Sequence, residues 1–401
     1  MENTEDRQIQ SIQLDHDEPE PKRFTLSFTG SGGEYFRIWI VNVALTALTL
    51  GIYGAWAKVR TRRYFYANTI LDGQPFDYLA RPGTILKGYL IVGGVLIVMN
   101  LLNNFVPRFG ILFSAVAISS VPYLLHKAHR FKAVNSAYRN VRFSFKGSIS
   151  EAYKAYIFFP LVGIYSLILA FAVPFYPAAE TATMDGPGWI VGAVIMLSSL
   201  ALTLSFPYLV FLQRRYFHGS MTFGRTDSSF TGESGPFYGI YLRSVGLFLA
   251  VPFVGGILIP IFSRTIKTMG EGDARFKIAG LAGTVLLTYT LMALMIILVQ
   301  QYIYARTFNY SWGHSRLGQV TFSARLRAKD LAWIRFTNLV AIIFSLGFLI
   351  PWAKVRRVRY ILSHTAVLLT GDMDVFEAAI IKDEGAVGDT AADFFDWDIG
   401  W

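Results

Sequence analysis

Charge is excluded from eight long stretches of this chain, and no other feature restricts its folding as strongly. Residues 38–57, 88–107, 109–125, 155–177, 188–213, 244–263, 278–303 and 336–353 contain no Asp, Glu, Lys, Arg or His, and Arg108 alone separates the second from the third. Most of these runs approach the roughly 20 residues a helix needs to cross about 30 Å of hydrocarbon. A core helix of a soluble protein would carry a polar face repeating every 3.6 residues, and these runs carry none. Composition agrees: 53% of residues are hydrophobic and 16% charged, a balance that excludes a soluble domain. With 33 Phe, 21 Tyr and 8 Trp, a disordered chain is excluded too, because so much apolar surface cannot stay in water. Cysteine is absent, which removes disulfides, thiolate metal sites and cysteine nucleophiles.

The connections between the runs indicate sidedness. Segments 58–87, 126–154, 213–243 and 304–335 hold 23 bases and 6 acids, whereas the alternate connections at 108, 176–189 and 262–278 hold 5 bases and 4 acids. The excess of Lys and Arg places the basic connections on the cytoplasmic side. Their bases, including Arg62-Arg63 and Arg214-Arg215, are expected to meet anionic headgroups rather than nucleic acid, since they are spread along membrane edges. Residues 1–20 carry seven acids and one base. Residues 1–23 are therefore expected to be a disordered acidic tail without a cleavable signal, 24–377 the membrane domain, and 378–401 an acidic tail with Phe394, Phe395, Trp397 and Trp401. That second tail is expected either to dock an unidentified protein partner or to fold back on the basic loops.

The ends of the membrane domain repeat each other. A shift of 296 superimposes Ile38 on Ile334, Asn42 on Asn338, Leu50-Gly51 on Leu346-Gly347, Trp56-Ala57-Lys58-Val59-Arg60 on Trp352-Ala353-Lys354-Val355-Arg356, and Arg63-Tyr64 on Arg359-Tyr360. A Phe followed within two positions by a small residue also recurs, at Phe28, Phe145, Phe230 and Phe322. Short β-hairpins are expected in the basic connections, as at Asp72-Gly73. The basic cluster after Trp352 conflicts with eight crossings, and both repeated segments contain a helix-breaking Gly or Pro. The expected fold is therefore an all-α multi-pass membrane protein of internal repeats with short cytoplasmic β-hairpins. It has six full crossings plus two partial or re-entrant segments, with eight crossings as the alternative.

The run from Thr49 to Tyr78, T-L-G-I-Y-G-A-W-A-K-V-R-T-R-R-Y-F-Y-A-N-T-I-L-D-G-Q-P-F-D-Y, resembles the signature of the YjgN-like family of bacterial inner-membrane proteins. The similarity extends over nearly the whole chain after about residue 22. It implies a multi-pass protein of the bacterial inner membrane. The family is a domain of unknown function, so the resemblance implies no catalytic residue and no substrate.

Chemistry is sparse. No ionisable residue interrupts an apolar run, no nucleophile, dinucleotide or phosphate-loop motif is present, and no cofactor or metal site is expected. His126 and His129 share a helix face, yet Lys127 and Arg130 would repel a cation, and the pair is expected to face headgroups. Gly30-Ser31-Gly32-Gly33 has the glycine-rich form of an anion site but lacks a lysine, which favours a strand-to-helix turn. Asn42 and Asn338 are the candidate polar intramembrane positions, either lining a cavity or bonding helices together. Trp56, Lys58, Arg60, Trp352, Lys354 and Arg356 are the repeat motif and candidate headgroup anchors. An enzyme is not expected. Transport or permeation of a small or amphipathic solute is the first functional expectation, and a structural, lipid-handling or partner-binding membrane factor is the alternative.

Overall fold

The computed structural model describes residues 21–172, 188–269 and 274–369. The chain begins with β1 (Lys22–Thr25) and β2 (Ser27–Phe28), then α1 (Gly32–Leu48), α2 (Gly54–Ala67), β3 (Thr69–Leu71) and β4 (Gln74–Tyr78). It continues with α3 (Pro82–Phe105), α4 (Pro107–Ser119), α5 (Val121–Val134), β5 (Ser136–Tyr138), β6 (Val141–Phe145), α6 (Ile149–Ala155) and α7 (Phe158–Ala172). Next come α8 (Gly188–Gly219), β7 (Met221–Phe223), β8 (Thr226–Phe230), α9 (Gly235–Met269), α10 (Ala274–Gly313), β9 (Ser315–Leu317) and β10 (Val320–Ala324). The last elements are α11 (Ala328–Phe344), α12 (Ile350–Ser363) and β11 (Thr365–Leu369).

The strands form one antiparallel sheet in the order β1-β11-β10-β9-β8-β7-β6-β5-β4-β3-β2. Its two outermost strands, β1 and β2, follow each other in the chain with only Leu26 between them. The first half of the stretch 22–28 pairs with β11 and the second half with β3, so the sheet curls into a nearly closed ring. Closure satisfies the strand edges that an open sheet would leave as templates for aggregation. Four tight turns join the strands pairwise, with left-handed backbone at Asp72 and Gly73, Arg139 and Asn140, Gly224, and Gly318, the conformations hairpin turns require. In the fifth position the pairing Lys22↔Leu369 takes the place of a turn.

The ring is built from five repeats, each a strand, a helical excursion and a returning strand that pairs with the first. A single hydrogen bond marks every repeat. The amide after the outgoing strand donates to the carbonyl at the end of the returning helix: Thr29 to Asn68, Leu79 to Asn135, Lys146 to Ser220, Thr231 to His314 and Arg325 to His364, all at 2.5–3.0 Å. In four repeats a tyrosine near the end of the returning helix reaches back to the residue that starts the outgoing one. The Tyr64 hydroxyl donates to the Ser31 carbonyl (2.8 Å) and that of Tyr216 to the Ser148 carbonyl (3.4 Å). The hydroxyls of Tyr310 and Tyr360 accept from the amides of Glu233 (2.8 Å) and Arg327 (3.1 Å). Capping boxes Ser31/Glu34 and Ser148/Glu151 fix the starts of α1 and α6, satisfying amides that a helix start leaves unpaired. Leu26 and alternate strand residues, among them Leu71, Phe76, Tyr138, Phe143, Phe223, Leu317, Phe322 and Val367, join Phe65, Phe308, Trp312 and Ile361 of the returning helices in one apolar core. Each such large side chain contributes about 1.5–3 kcal/mol on burial.

Two corrections to the all-α expectation follow. First, the basic connections do not hold isolated hairpins, because their strands join edge to edge into one sheet around which the whole chain is organised. Second, among the described residues four helical spans are long and apolar enough to cross a membrane: Pro82–Phe105, Pro107–Val134 (α4 and α5 together), Gly192–Gly219 and Ala282–Gly313. Neither six crossings plus two partial segments nor eight crossings describes this arrangement. The physical reason is that a run without charges is not a helix. Run 38–57 splits at Leu50 and Gly51 (φ 49° and 94°) into α1 and α2, and run 336–353 splits in the same way at Leu346 and Gly347 (φ 51° and 92°). At each split the glycine amide closes the helix end on the carbonyl five residues back, Thr46 or Ile342, at 2.8 Å, a Schellman-type termination. β1 also begins at Lys22, so residues 22 and 23 belong to the sheet. The remaining tail assignments lie outside the described residues.

Candidate functional site

The repeated motif lies where one repeat meets the next. Arg63 donates to the carbonyl of Ala80 at the following repeat's strand-to-helix junction (3.3 Å), and Arg359 does the same to Gly30 (2.9 Å). The two motif lysines rest over aromatic rings of the following repeat, Lys58 over Tyr89 at 5.9 Å and Lys354 over Tyr35 at 6.0 Å, a favourable cation–π placement. Trp352 packs on Phe36 with ring centroids 5.2 Å apart and on Gly32, where an added Cβ would fall 2.2 Å from the indole. Trp56 lies over Tyr53 at 6.1 Å. Both tryptophans are about 40% exposed. Arg60 is exposed, whereas Arg356 donates to Thr337 Oγ1 (2.7 Å) and Asn338 Oδ1 (3.2 Å).

Asn42 and Asn338 stand in equivalent places and tie together the two helices of their repeats. Asn42 Nδ2 donates to the Ala57 carbonyl (3.4 Å), and Asn338 Nδ2 to the Ala353 carbonyl (3.0 Å). Each also lines a groove. The first groove, about 590 Å³, runs between α1, α2 and the start of α12 and is lined by Tyr35, Trp39, Asn42, Val43, Thr46, Ala47, Ala57, Lys58, Thr61, Arg62 and Lys354. The second, about 260 Å³, has the repeat-equivalent lining on α11 and α12, with Gln301 of α10 beside it. Substitutions account for the difference in size. Ile350 and Ile342 fill the second groove where Gly54 and Thr46 stand in the first, and Arg357 replaces Thr61. The Arg357 guanidinium lies 5.1 Å over the ring of Tyr304, the residue that corresponds in the repeat to Lys354, so Arg357 is engaged in a cation–π pair at the edge of the second groove.

The first groove thus has two lysines at its rim, Lys58 and Lys354, and no acid lines it; Arg62 also lines it, but is buried with its guanidinium bonded to the Tyr78 hydroxyl at 2.8 Å. Its floor is polar: Thr61 and Tyr35 both line it, and Asn42 Nδ2 donates to Thr61 Oγ1 (3.4 Å). Asn42 is 5% exposed, and its Oδ1 has no hydrogen-bond partner among the described residues. Beside the groove, the Ser31 amide and then the Tyr64 hydroxyl hold the Glu34 carboxyl below its usual range, while burial and Glu34 push the Tyr64 hydroxyl up to about 12. This pair is therefore a fixed cap rather than a proton donor and acceptor working near neutrality.

Other candidates from the sequence have structural roles. His126 and His129 do not face headgroups: both are buried, their ring nitrogens 2.9 Å from the hydroxyls of Tyr216 and Tyr156. No group of three or more His, Cys, Asp or Glu able to hold a metal occurs among the described residues. In the glycine-rich run, Gly30 has no room for a Cβ beside Tyr64 and Phe28, nor has Gly32 beside Trp352. Sequence reasoning missed the clamps made by Arg63 and Arg359, although both stood in the repeated motif, and missed the groove lysines as partners of the next repeat's rings.

Known proteins resemble this chain in sequence. The model of a family described as bacterial protein of unknown function (DUF898) matches residues 23–394. The inner membrane protein YjgN of Salmonella typhimurium (strain LT2) is 28% identical over 367 residues, covering 88% of this chain and 90% of that protein. Proteins of the same name are 26% identical over 176 residues in Escherichia coli O157:H7 (44% and 43% covered) and 32% over 136 residues in Escherichia coli strain K12 (34% of each). No solved structure matches. With its long apolar helices and this match along nearly its whole length, the chain is a membrane protein belonging to the DUF898 family, bacterial proteins of unknown function.

Proposed function

We propose that this chain is a multi-pass inner-membrane protein with its strand ring and basic connections on the cytoplasmic side, and that its first groove binds an anionic lipid headgroup. The observation that carries the reading is that Lys58 and Lys354, from different repeats, line one largely apolar groove without an acid. Its volume lies within the range of ligand sites. The groove runs along α1 from Tyr35 to Ala47, about 18 Å at 1.5 Å per residue, which matches a headgroup together with the upper part of an acyl chain. Trp56 and Trp352, half-exposed beside it, suit the membrane interface. Leu48, Leu50, Phe344 and Leu346, at the ends of α1 and α11, are more than three-quarters exposed and offer lipid-compatible surface next to the groove. A lipid-binding factor accounts for these features better than solute transport, which the groove's position beside the ring does not call for, or than catalysis, for which the groove offers no carboxylate or imidazole as general base.

The test uses the full chain purified in a neutral detergent. Dihexanoyl-phosphatidylglycerol should bind and raise the unfolding temperature, and dihexanoyl-phosphatidylcholine should bind far more weakly. Lys58→Met with Lys354→Met should cost about 1 kcal/mol per lysine, roughly thirtyfold in affinity. Equal binding of the two lipids would refute the reading. Sidedness is checked separately: since the chain has no cysteine, Ser229→Cys in intact cells should resist a membrane-impermeant thiol reagent, and labelling there would put the ring outside.

A further inference from the structure

We infer that the first groove selects an anionic phosphodiester headgroup that carries hydroxyl groups, a glycerol-type or other polyol headgroup, over one with the same charge and no hydroxyl. This rests on the anionic-lipid reading above and specifies its ligand. The same motif makes two grooves that differ in their polar floors. Each motif lysine is kept, as Lys58 and Lys354, and so is each asparagine, as Asn42 and Asn338. The rest of the polar floor is not kept. Tyr35 and Thr61 of the first groove are Leu331 and Arg357 in the second, and Thr46 is Ile342.

The asparagines differ in the same sense. Asn338 Oδ1 accepts from Arg356 at 3.2 Å, which completes its hydrogen bonding within the protein. Asn42 Oδ1 has no partner among the described residues although Asn42 is 95% withdrawn from solvent, and a buried acceptor left unpaired is costly. The first groove therefore combines a cationic rim with a connected amide and hydroxyl floor that lacks a donor. A phosphate complements the positive charge of the two rim lysines, and a hydroxyl beside that phosphate supplies the donor while accepting from the hydroxyls of Thr61 or Tyr35. An adjacent apolar wall, with Val43 and Ala47, takes the first methylenes of an acyl chain, which commits the ligand to a lipid rather than to a soluble phosphate.

The experiment titrates the full chain in neutral detergent with four probes: dihexanoyl-phosphatidylglycerol, dihexanoyl-phosphatidylmethanol, dihexanoyl-phosphatidylcholine and soluble glycerophosphoglycerol. Phosphatidylmethanol has the same single charge as phosphatidylglycerol without its hydroxyls. Phosphatidylglycerol should bind about five- to tenfold tighter than phosphatidylmethanol, the size of one or two net hydrogen bonds. Thr61→Val and Asn42→Leu should each remove most of that preference while leaving phosphatidylmethanol affinity unchanged. Asn338→Leu, in the second groove, should leave the preference intact. Equal binding of phosphatidylglycerol and phosphatidylmethanol, both tighter than phosphatidylcholine, overturns the hydroxyl inference and leaves the anionic groove standing. Equal binding of all three lipids overturns both. Glycerophosphoglycerol binding as tightly as the lipid overturns the lipid source. Thr61→Val is nearly isosteric, so it keeps the test decisive if Asn42→Leu fails to fold.

Discussion

Repeats five and one are joined by packing and strand pairing rather than by a covalent turn, which makes Gly32 the most informative residue to change. Its neighbour across this seam is Trp352, and a Cβ on Gly32 would sit 2.2 Å from the indole Cδ1, 2.6 Å from Cγ and 2.7 Å from Nε1. Ordinary carbon contacts begin near 3.5 Å, so Gly32→Ala requires a shift of more than 1 Å. Overpacking of this kind costs about 1–3 kcal/mol. Trp352 is 41% exposed and can yield partly, which places the expectation in the lower half of that range. Gly33 is the internal control: a Cβ there meets nothing within 4 Å. Gly33→Ala should be neutral or stabilising by up to about 1 kcal/mol through helix propensity. Unfolding of the detergent-solubilised protein, followed by near-UV and far-UV circular dichroism, should rank the variants Gly33→Ala, wild type, Gly32→Ala. In a Trp352→Ala background the cost of Gly32→Ala should vanish, giving a coupling energy of about 1–2 kcal/mol. If Gly32→Ala costs the same with and without the indole, the seam is not closed by this contact and the ring-closure argument fails.

Three further outcomes are expected. Arg359→Ala should lose about 1–3 kcal/mol, the range for a bond from a charged donor to a part-buried carbonyl, with Arg359→Lys recovering part of it; unchanged unfolding would refute the clamp at Gly30. Thr46→Ile with Gly54→Ile copies into the first groove the residues that fill the second, and should abolish most stabilisation by dihexanoyl-phosphatidylglycerol without unfolding the protein; retained binding would place the lipid elsewhere. Glu34 has a folded pKa below its ordinary 4.5, owing first to the Ser31 amide and then to Tyr64. Its contribution is therefore complete above pH 4.5 and is lost as pH falls through the lowered value. Glu34→Gln should flatten the pH dependence of unfolding in that acidic window and nowhere else, and an unchanged acidic profile would count against the cap.

What was legible in the sequence follows the range of the forces involved. Apolar runs report the environment of a helix, so the membrane assignment was available from residues 88–107 and 278–303. They do not report where a helix stops: Leu50-Gly51 looks like a break, yet only the left-handed backbone there and the 2.8 Å bond from Gly51 to Thr46 show that the chain reverses. The Asp72-Gly73 turn was visible because its residues are dictated locally. The sheet was not, because its bonds join residues as far apart as Lys22 and Leu369, and no local pattern reveals which hairpins are neighbours. The matching ends of the chain were read as two similar segments and the Phe element marked Phe145 and Phe230, but the full set of five repeats escaped notice because the helical excursions differ in length and their equivalent side chains are not identical. Tyr66, Ala133, His218, Trp312 and Leu362 share one position in the repeat and one fate, burial, with no chemical likeness between them. At the groove, Asn42 and Lys58 could be singled out by pattern, but Lys354 joins them only through ring closure.

That last point ties the groove to the seam. Tyr35, Asn42, Lys58 and Thr61 come from the first repeat and Lys354 from the fifth, so the first groove is complete only when the ring is closed. Any ligand that uses both lysines then binds the closed ring in preference to an opened one, and linkage requires it to stabilise the seam. At a free lipid concentration one hundred times its dissociation constant, the gain is about 2.7 kcal/mol, comparable to or larger than the deficit expected for Gly32→Ala. Saturating dihexanoyl-phosphatidylglycerol should therefore bring Gly32→Ala back to the unfolding midpoint of the lipid-free wild type, and Gly32→Ala should in turn bind the lipid more weakly if it populates the open ring. Phosphatidylcholine should do neither. A variant destabilised away from the seam, such as Phe237→Ala in the core of the fourth repeat, binds lipid with unchanged affinity while folded. If its affinity falls as far as that of Gly32→Ala, the lipid senses general stability, and the groove does not depend on the meeting of the first and fifth repeats.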